Sequence, residues 1–148
     1  MSKATSIMEH SLDMIFSDIH SVSLLMDEWI ILEIKKEFPE VRIHHLTYIS
    51  AIGPIGISNV DLIIKVGKTK QAVNKVITNL RAHGLVVVNH YHSLKFIRIN
   101  LTEHGEALFE SICSSRLKLQ NIYSDILGIN RYNHLLVALS RLKSFHKQ

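Results

Sequence analysis

Residues 66–88 read VGKTKQAVNKVITNLRAHGLVVV and carry the most informative pattern of the chain. This stretch carries five basic side chains or histidines and no acidic side chain. Its apolar residues recur at spacings of three and four, at Val73, Val76, Ile77 and Leu80. That spacing predicts a helix with one buried face. The opposite face is polar and basic, so it is either an ordinary solvated face or a surface for a polyanion.

A second helix is predicted just before this one. Ser58 has the position of an N-cap for a helix over residues 60–66, and Gly67 ends that helix. Thr69 caps the following helix, which covers residues 69–82 and ends before Gly84. Two helices separated by a short turn that contains glycine are the helix-turn-helix pattern.

After Gly84 the pattern changes to two runs rich in β-branched and aromatic residues, LVVVNH and KFIRINL, with the polar tip YHS between them. These runs predict a β-hairpin beside the two helices. Thr102 then caps a long helix that ends near Gly128, and a last helix is predicted from about Tyr132.

The segment before the helix-turn-helix predicts two helices. Residues 5–38 have helical periodicity up to Pro39, and a short helix follows over residues 43–52. The first helix carries apolar residues outside its main stripe, among them Leu24, Leu25 and Ile31. A helix that is apolar on several sides needs more than one neighbour, which predicts burial at a subunit interface.

The charge of the chain is concentrated in its middle. Between Leu62 and Thr102 there is no Asp or Glu, whereas the net charge of the whole chain is +4. The seven basic residues of this segment are Lys65, Lys68, Lys70, Lys75, Arg81, Lys95 and Arg98. A basic middle between near-neutral or acidic flanks favours binding to nucleic acid or to another acidic surface.

Length and composition fit one globular domain. The chain has 148 residues, 47% hydrophobic and 20% charged, with 6 glycines and 2 prolines, which leaves little room for linkers. No run approaches the roughly 20 apolar residues of a membrane span, and the N-terminus lacks the apolar core of a signal peptide. Because there is a single cysteine, the expected compartment is the reducing cytoplasm.

The order of these elements, together with their residues, resembles the MarR family of winged-helix transcription regulators over nearly the whole chain. The segment VGKTKQAVNKVITNLRAHGLV is similar to the family's turn and recognition helix. The segment INLTEHGEALFESI is similar to its LT-x-x-G junction from wing to dimerisation helix. ISNVDLIIKVG is similar to the preceding helix, although Ile63 occupies a position where the family commonly has alanine.

The resemblance implies a mostly α-helical fold with a small β-hairpin wing, in which a winged helix-turn-helix is flanked by N- and C-terminal dimerisation helices. Residues 1–148 would form a single domain, with residues 41–102 as the DNA-binding part and residues 5–38 and 103–146 as the dimerisation helices. The implied function is that of a homodimeric, sequence-specific regulator of transcription. It would be a repressor that binds a pseudo-palindromic operator in double-stranded DNA through the helix 69–82.

The residues predicted to face DNA have side chains that suit base edges or phosphates. Gln and Asn can pair with adenine, Lys can donate to guanine, and Thr or Lys can hold a phosphate. We expect Gln71 and Asn74 to contact bases. The other predicted contacts on or beside this helix are Lys68, Thr69, Lys70, Lys75 and Asn79.

The wing departs from the family pattern. MarR-like wings usually carry an Asp-x-Arg element and an arginine that reaches the minor groove, whereas this segment reads NHYHSLKFIR, with neither the acid nor that arginine. His90, His92, Lys95 and Arg98 remain as basic or protonatable substitutes. Phosphate contact is the role expected of them.

A second hypothesis is a winged-helix module that coats DNA without sequence preference or contacts another protein, because the family's wing element is missing. An enzyme is not predicted, since the sequence has neither a phosphate-binding glycine loop nor a nucleophile motif. No cofactor or metal is predicted, because the ten histidines lack the spacing and the company of a structural zinc site.

The resemblance also implies an effector pocket for a small molecule, for which Trp29, His44 and Tyr48 are candidate lining residues. Redox-sensing relatives in the family carry their reactive cysteine in the first helix, where this chain has none. Cys113 is instead predicted to be a small packed residue of the long helix.

Overall fold

A computed structural model of the protein describes residues 3–90 and 97–148, and for residues 3–10 and 12 it describes the backbone alone. The helices and strands of these residues follow one another along the chain. They are α1 (Lys3–Ile34), α2 (Ile43–Ile52), β1 (Ile57–Ser58), α3 (Asn59–Val66), α4 (Lys70–Ala82), β2 (Val86–His90), β3 (Ile97–Leu101), α5 (Glu103–Leu127) and α6 (Ile129–His146). The predicted fold class, mostly α-helical with a small β wing, is confirmed.

Helices α3 and α4 begin and end as their sequence predicts. The hydroxyl of Ser58 accepts a hydrogen bond from the Asp61 N–H at 3.1 Å and begins α3. Gly67 follows α3 with a φ of 65°, a left-handed conformation that other residues rarely adopt. The hydroxyl of Thr69 accepts from the Ala72 N–H at 3.2 Å and begins α4. The predicted helix-turn-helix is therefore confirmed.

The wing is part of a three-stranded antiparallel sheet with the order β1-β3-β2. Ile99 of β3 pairs with Val88 across the hairpin and with Ile57 on its other side. Strand β1 is not predicted from the sequence, because two residues are too short to show an alternating pattern. The predicted hairpin tip YHS lies outside the described residues.

The junction between β3 and α5 explains the spacing of Thr102 and Gly105. The Thr102 hydroxyl accepts from the Gly105 N–H at 3.0 Å and donates to the Gly84 carbonyl. The Thr102 N–H donates to the Leu85 carbonyl at 3.1 Å. A Cβ atom at position 105 would lie 2.0 Å from that same carbonyl oxygen, so glycine is required for α5 to start this close to β2.

A cluster of buried side chains holds the winged-helix elements together. Leu62 of α3 and Val73 and Leu80 of α4 are fully buried in it. Ile99 of β3 and Leu108 of α5 complete its centre. The apolar stripe predicted for α4 is therefore its buried face.

Helix α1 ends earlier than predicted. The sequence predicts an end at Phe38, before Pro39, whereas the helix ends at Ile34. The Phe38 N–H donates to the Ile34 carbonyl at 2.9 Å, but residues 35–37 form a turn. This turn brings Phe38 and Val41 into the core. The helix therefore ends four residues before the predicted end, and Phe38 belongs to the buried core instead of to the helix.

Helix α6 begins earlier than predicted, at Ile129 and not at Tyr132. Gly128 occupies the N-cap position with a φ of 78°. The Tyr132 N–H donates to the Gly128 carbonyl at 3.0 Å, so the first turn of α6 already includes the residues that were expected to form a loop. A glycine with positive φ allows a helix to follow another one after a single residue.

The chain divides into two compact units, Met1–Ile112 and Cys113–Gln148. In the second unit none of the residues of α6 is buried, and its large exposed side chains include Leu135, Leu136, Val137, Leu139, Leu142 and Phe145. In the first unit α1 exposes large apolar side chains as well, among them Met14, Ile15, Phe16, Ile19 and Leu25. No helix within the described residues has both the length and the hydropathy of a membrane span.

The prediction that Cys113 is a packed residue is wrong, because its side chain is exposed. The buried residues on either side of it in α5 are Ile112 and Ser115. Successive residues of an α-helix point about 100° apart, so the neighbour of a buried residue can lie outside the buried stripe.

Candidate nucleic-acid interface

Helix α4 has one buried and one exposed face. Val73, Ile77 and Leu80 are buried, and the Thr78 hydroxyl is engaged with the Asn74 carbonyl at 2.8 Å. All seven residues predicted on or beside this helix are exposed: Lys68, Thr69, Lys70, Gln71, Asn74, Lys75 and Asn79. Because the opposite face is anchored in the core, the fold determines the direction of the exposed face. The DNA contacts of these residues stay predictions.

The N-terminal end of α4 combines three features that favour anions. Thr69 is its N-cap, and the N–H groups of a first helical turn point outward with a partial positive charge. Lys68 and Lys70 flank this end in the chain, and both are exposed. A phosphate near this helix end would therefore meet N–H donors and two ammonium groups.

Positive charge dominates the surroundings of α4. Lys65 in the last turn of α3 and Arg81 in the last turn of α4 are exposed, as are the lysines at positions 68, 70 and 75. The sequence between Leu62 and Thr102 supplies no carboxylate to neutralise them. The local potential is therefore expected to attract a polyanion.

The wing residues differ in how far they are engaged with the rest of the fold. Nη2 of Arg98 donates to the Ile55 carbonyl at 2.6 Å, so part of this guanidinium ties β3 to the turn before β1. His90 is exposed at the end of β2. The predicted contacts His92 and Lys95 lie outside the described residues.

Asn100 connects the wing to the turn in front of α3. A Cβ atom at Gly56 would lie 2.2 Å from the side-chain nitrogen of Asn100, so glycine leaves the space that the amide occupies. The Asn100 Oδ1 accepts from the Asn89 Nδ2 at 3.4 Å. The Asn100 side chain therefore bonds within the wing and lies close to the backbone of the turn at Gly56.

His45 is a buried histidine at the start of α2, with 3% of its surface exposed. Its Nδ1 accepts from the Arg42 N–H at 3.1 Å, which leaves the ring proton of the neutral form on Nε2. Burial lowers the pKa of His45 to about 4, and its basic neighbours act in the same direction. Those neighbours are His44, His83 and Arg42. His45 is therefore neutral near neutral pH.

Glu40 connects the loop before α2 to the start of α5. Its Oε1 lies 3.0 Å from Nε2 of His104, whose ring is tilted against Phe38 with the centroids 5.2 Å apart. Burial by itself raises the pKa of Glu40. Its backbone hydrogen bond and the hydrogen bond and charge of His104 outweigh burial and, together with His83, hold the pKa below its ordinary value.

The candidate effector-pocket residues differ in exposure. Tyr48 is buried, and this burial raises the pKa of its hydroxyl. Trp29 is partly buried and packs against the same core cluster. His44 is exposed. Two of the three therefore contribute to the core, and a shared pocket stays a prediction.

Two pairs of histidines lie close in sequence and are candidate metal ligands: His44 with His45, and His90 with His92. The rings of His44 and His45 lie edge to face with centroids 4.2 Å apart, but Nδ1 of His45 already accepts the Arg42 N–H. Of the second pair, His90 is described and His92 is not. In the described ranges, 3–90 and 97–148, no three His, Cys, Asp or Glu side chains form a group that could hold a metal ion.

Solved structures resemble this chain, although no family model matches the sequence and no curated protein matches it significantly. FabT from Streptococcus pneumoniae in complex with DNA has a TM-score of 0.72 at 15% identity, over 97% of each chain. A Listeria monocytogenes protein assigned to the MarR family, complexed with a 26mer DNA, has a TM-score of 0.73 at 20% identity, over 87% of this chain and 86% of that one. Wild-type MarR from E. coli in its apo form has a TM-score of 0.68 at 17% identity, over 84% of this chain and 92% of that one.

These likenesses define the class of fold as a winged helix-turn-helix. More particularly, the chain has the fold of the MarR-family transcription regulators, and the resemblance inferred from the sequence is confirmed at that level. At these identities the likeness concerns the fold alone.

Two features of this region are not predicted from the sequence. His45 precedes Leu46 by one residue and Ile49 by four, so its place on the apolar stripe of α2 was the available signal for burial. The contact between Glu40 and His104 joins residues 64 positions apart, and no local pattern predicts a contact over that separation.

Proposed function

We propose that the protein is a homodimeric regulator of transcription of the MarR type, which represses by occupying a specific pseudo-palindromic operator in double-stranded DNA. The observation that carries this proposal is the exposed polar and basic face of α4 on a helix whose other face is buried. Gln71 and Asn74 read bases, while Lys68, Lys70 and Lys75 hold phosphates or guanine. The protein acts in the cytoplasm as a binding protein and not as an enzyme.

The comparisons support DNA as the partner. The S. pneumoniae protein and the L. monocytogenes protein, which share this fold, were both solved with DNA. A winged helix-turn-helix enters the major groove with its second helix, which here is α4.

The exposed apolar side chains of α1 and α6 support a homodimer. Soluble monomers rarely expose large contiguous apolar surfaces, and here two long helices carry many large apolar side chains outward. A two-fold axis between two copies would present two α4 helices to two half-sites about one helical turn apart, roughly 10 base pairs.

Selection of bound fragments from a pool of random duplexes tests the proposal. We expect an inverted repeat with half-sites roughly 10 base pairs apart. The double variant Gln71→Ala, Asn74→Ala should bind the selected site at least about tenfold more weakly, because two base-reading amides are lost. Its affinity for mixed-sequence DNA should change little.

The matched control changes the same residue types elsewhere. Gln120 and Asn121 are exposed on α5, so the double variant Gln120→Ala, Asn121→Ala should bind the selected duplex like the wild type. Recovery of no recurrent sequence, together with unchanged binding by the Gln71→Ala, Asn74→Ala variant, would contradict sequence-specific reading.

A second candidate function is non-specific coating of DNA, and the wing is the feature that favours it. The wing lacks the family's Asp-x-Arg element, and Arg98 is engaged with the Ile55 carbonyl. A coating protein would bind every duplex equally, and its affinity would fall steeply with salt because phosphate neutralisation dominates. The same selection, repeated as a salt titration, separates the two functions.

A further inference from the structure

A buried donor lies at the start of α2, on the ring of His45. Nδ1 of His45 is occupied by the Arg42 N–H at 3.1 Å, so the neutral ring carries its proton on Nε2. That Nε2 is buried and has no hydrogen-bond partner at bonding geometry. A buried N–H without an acceptor is costly, so an acceptor is expected within reach of a small side-chain movement.

Asn79 of α4 is the group that can supply this acceptor. Among the side chains that shift the pKa of His45, Asn79 is neutral, whereas His44, His83 and Arg42 are basic. The Asn79 side chain raises the pKa of His45, as a nearby acceptor does. The distance or angle between Nε2 of His45 and Asn79 does not yet meet the geometry of a hydrogen bond. The side-chain amide of asparagine can rotate to present its oxygen in place of its nitrogen.

The backbone around Asn79 is already engaged. Its carbonyl accepts the His83 N–H at 3.1 Å and lies 2.9 Å from the His83 Nδ1. The backbone carbonyl of Asn79 is therefore committed to ending α4, while the side-chain oxygen remains to meet a donor from α2. The position is also nine residues, about two and a half turns, from the start of α4 at Lys70, where helices of this motif enter the groove.

We propose that Asn79 is a positioning residue, whose Oδ1 accepts the Nε2–H of His45 and so fixes the C-terminal end of the recognition helix to α2. This inference rests on the proposed function and changes the role predicted for Asn79 from DNA contact to support. His45 then joins two elements: its Nδ1 caps α2, and its Nε2 holds α4. A recognition helix held in this way presents Gln71 and Asn74 in one orientation.

A double-mutant cycle on DNA binding tests the proposal. His45→Asn keeps a polar side chain near the place of Nδ1, so α2 can still be capped, but it places nothing at Nε2. In fluorescence anisotropy with the duplex recovered by selection, Asn79→Ala should weaken binding about fivefold in the wild-type background. In the His45→Asn background the same change should have no further effect. An equal loss in both backgrounds would mean that Asn79 touches DNA directly and would overturn the proposal.

Thermal unfolding repeats the cycle without DNA. Asn79→Ala should lower the Tm of the wild type but not that of His45→Asn, because the link is already absent there. Asn74→Ala is the matched control on the same helix. It should weaken DNA binding in both backgrounds and leave the Tm unchanged in both. Tm losses of Asn79→Ala that are the same in both backgrounds overturn the proposal. If the wild type binds no duplex, the proposed function fails while the Tm cycle still decides whether the link exists.

Nuclear magnetic resonance of the histidine rings provides a measurement that needs no change at His45. Long-range proton–nitrogen spectra should show His45 in the Nε2–H form, with the Nε2 proton protected from exchange with water. In Asn79→Ala that proton should exchange rapidly and the Nε2 resonance should shift. An identical His45 signal in both proteins overturns the proposal, even if the His45→Asn variant does not fold.

Discussion

The apolar stripes of α4 and α6 have the same periodicity but opposite exposure. In α4, Val73 and Leu80 are 0% exposed, whereas in α6 Leu139 and Leu142 are 41% and 52% exposed. Helical periodicity shows that a face needs an apolar partner, but it does not show whether that partner belongs to the same chain. The α4 stripe is covered by its own fold, and the α6 stripe needs a neighbour, which in the proposed function is a second copy.

This difference separates two kinds of stability. The winged-helix core buries its side chains within one chain, so its contribution does not depend on protein concentration. An interface between two copies contributes only when the dimer is populated, so it is linked to concentration by mass action. Substitutions in the two regions should therefore differ in how their effects depend on protein concentration.

The largest effect is expected from a cavity in the winged-helix core. Leu62 is 0% exposed, so Leu62→Ala should lower the free energy of unfolding by about 4 kcal/mol at every protein concentration. Leu136 of α6 is 47% exposed, and Leu136→Ala is the matched change. Its effect should be small when the protein is dilute and should appear only where the dimer forms. Urea unfolding at a low and a high protein concentration measures both, and a concentration-independent loss for Leu136→Ala would mean that its own chain covers α6.

The junction between wing and long helix should be nearly as sensitive. Gly105→Ala places a Cβ atom 2.0 Å from the Leu85 carbonyl oxygen, so backbone must move, and we expect a loss of about 3 kcal/mol. Gly67→Ala is the control. Its Cβ would meet nothing within 4 Å, so only the cost of a positive φ remains, about 1 kcal/mol. Equal losses in urea unfolding would show that close approach is not what requires glycine at position 105.

His45 should make the winged-helix region sensitive to acid. Its pKa is about 4 in the folded protein, against an ordinary value of 6.5. Between these two pH values His45 is mostly protonated in the unfolded chain and mostly neutral in the folded one. The stability that the neutral His45 contributes to the folded state is therefore fully present above the ordinary pKa. It is lost as the pH falls towards the pKa of the folded state. Between about pH 7 and about pH 5 the loss should be about 2 kcal/mol. His45→Asn should remove this part of the pH dependence from the urea-unfolding profile, and an unchanged profile would contradict it.

The smallest effect is expected from the pair of Glu40 and His104. The His104 side chain is 48% exposed, so solvent screens the interaction, and Glu40→Gln should cost only about 0.5 kcal/mol. Glu110→Gln on the exposed side of α5 is the control and should change nothing measurable. The difference should shrink at high salt, because the pair is screened further. A loss comparable to that of Leu62→Ala would show that the pair is essential to the junction of α2 and α5.

Much of the fold is predictable from the sequence because its signals are local. Helix α2 has the predicted bounds, and the caps of α3 and α4 at Ser58 and Thr69 bond as expected. Each of these features depends on residues three or four positions apart. The candidate DNA-binding face follows from the same spacing, since the buried stripe of α4 leaves its polar residues exposed.

The parts that the sequence does not predict depend on contacts between distant residues. The turn after α1 places Phe38 in the core, and β1 exists because Ile57 pairs with Ile99 of β3. Cys113 is exposed although its neighbour Ile112 is buried. The spacing of apolar residues predicts that a helix has a buried face, but packing determines how wide that face is. His45 and Asn79 belong to helices separated by α3, so the influence of one on the other has no signature in the sequence.

Local sequence patterns predict the helix-turn-helix, its capping residues, the hairpin and the basic, acid-free character of the segment around α4. Only the folded structure shows which apolar stripes are covered within the chain, that Arg98 is engaged with Ile55, and that Nε2 of His45 is buried without a hydrogen-bond acceptor. Backbone hydrogen bonds and periodicity act within a few residues, whereas burial depends on which elements meet across long separations in the chain.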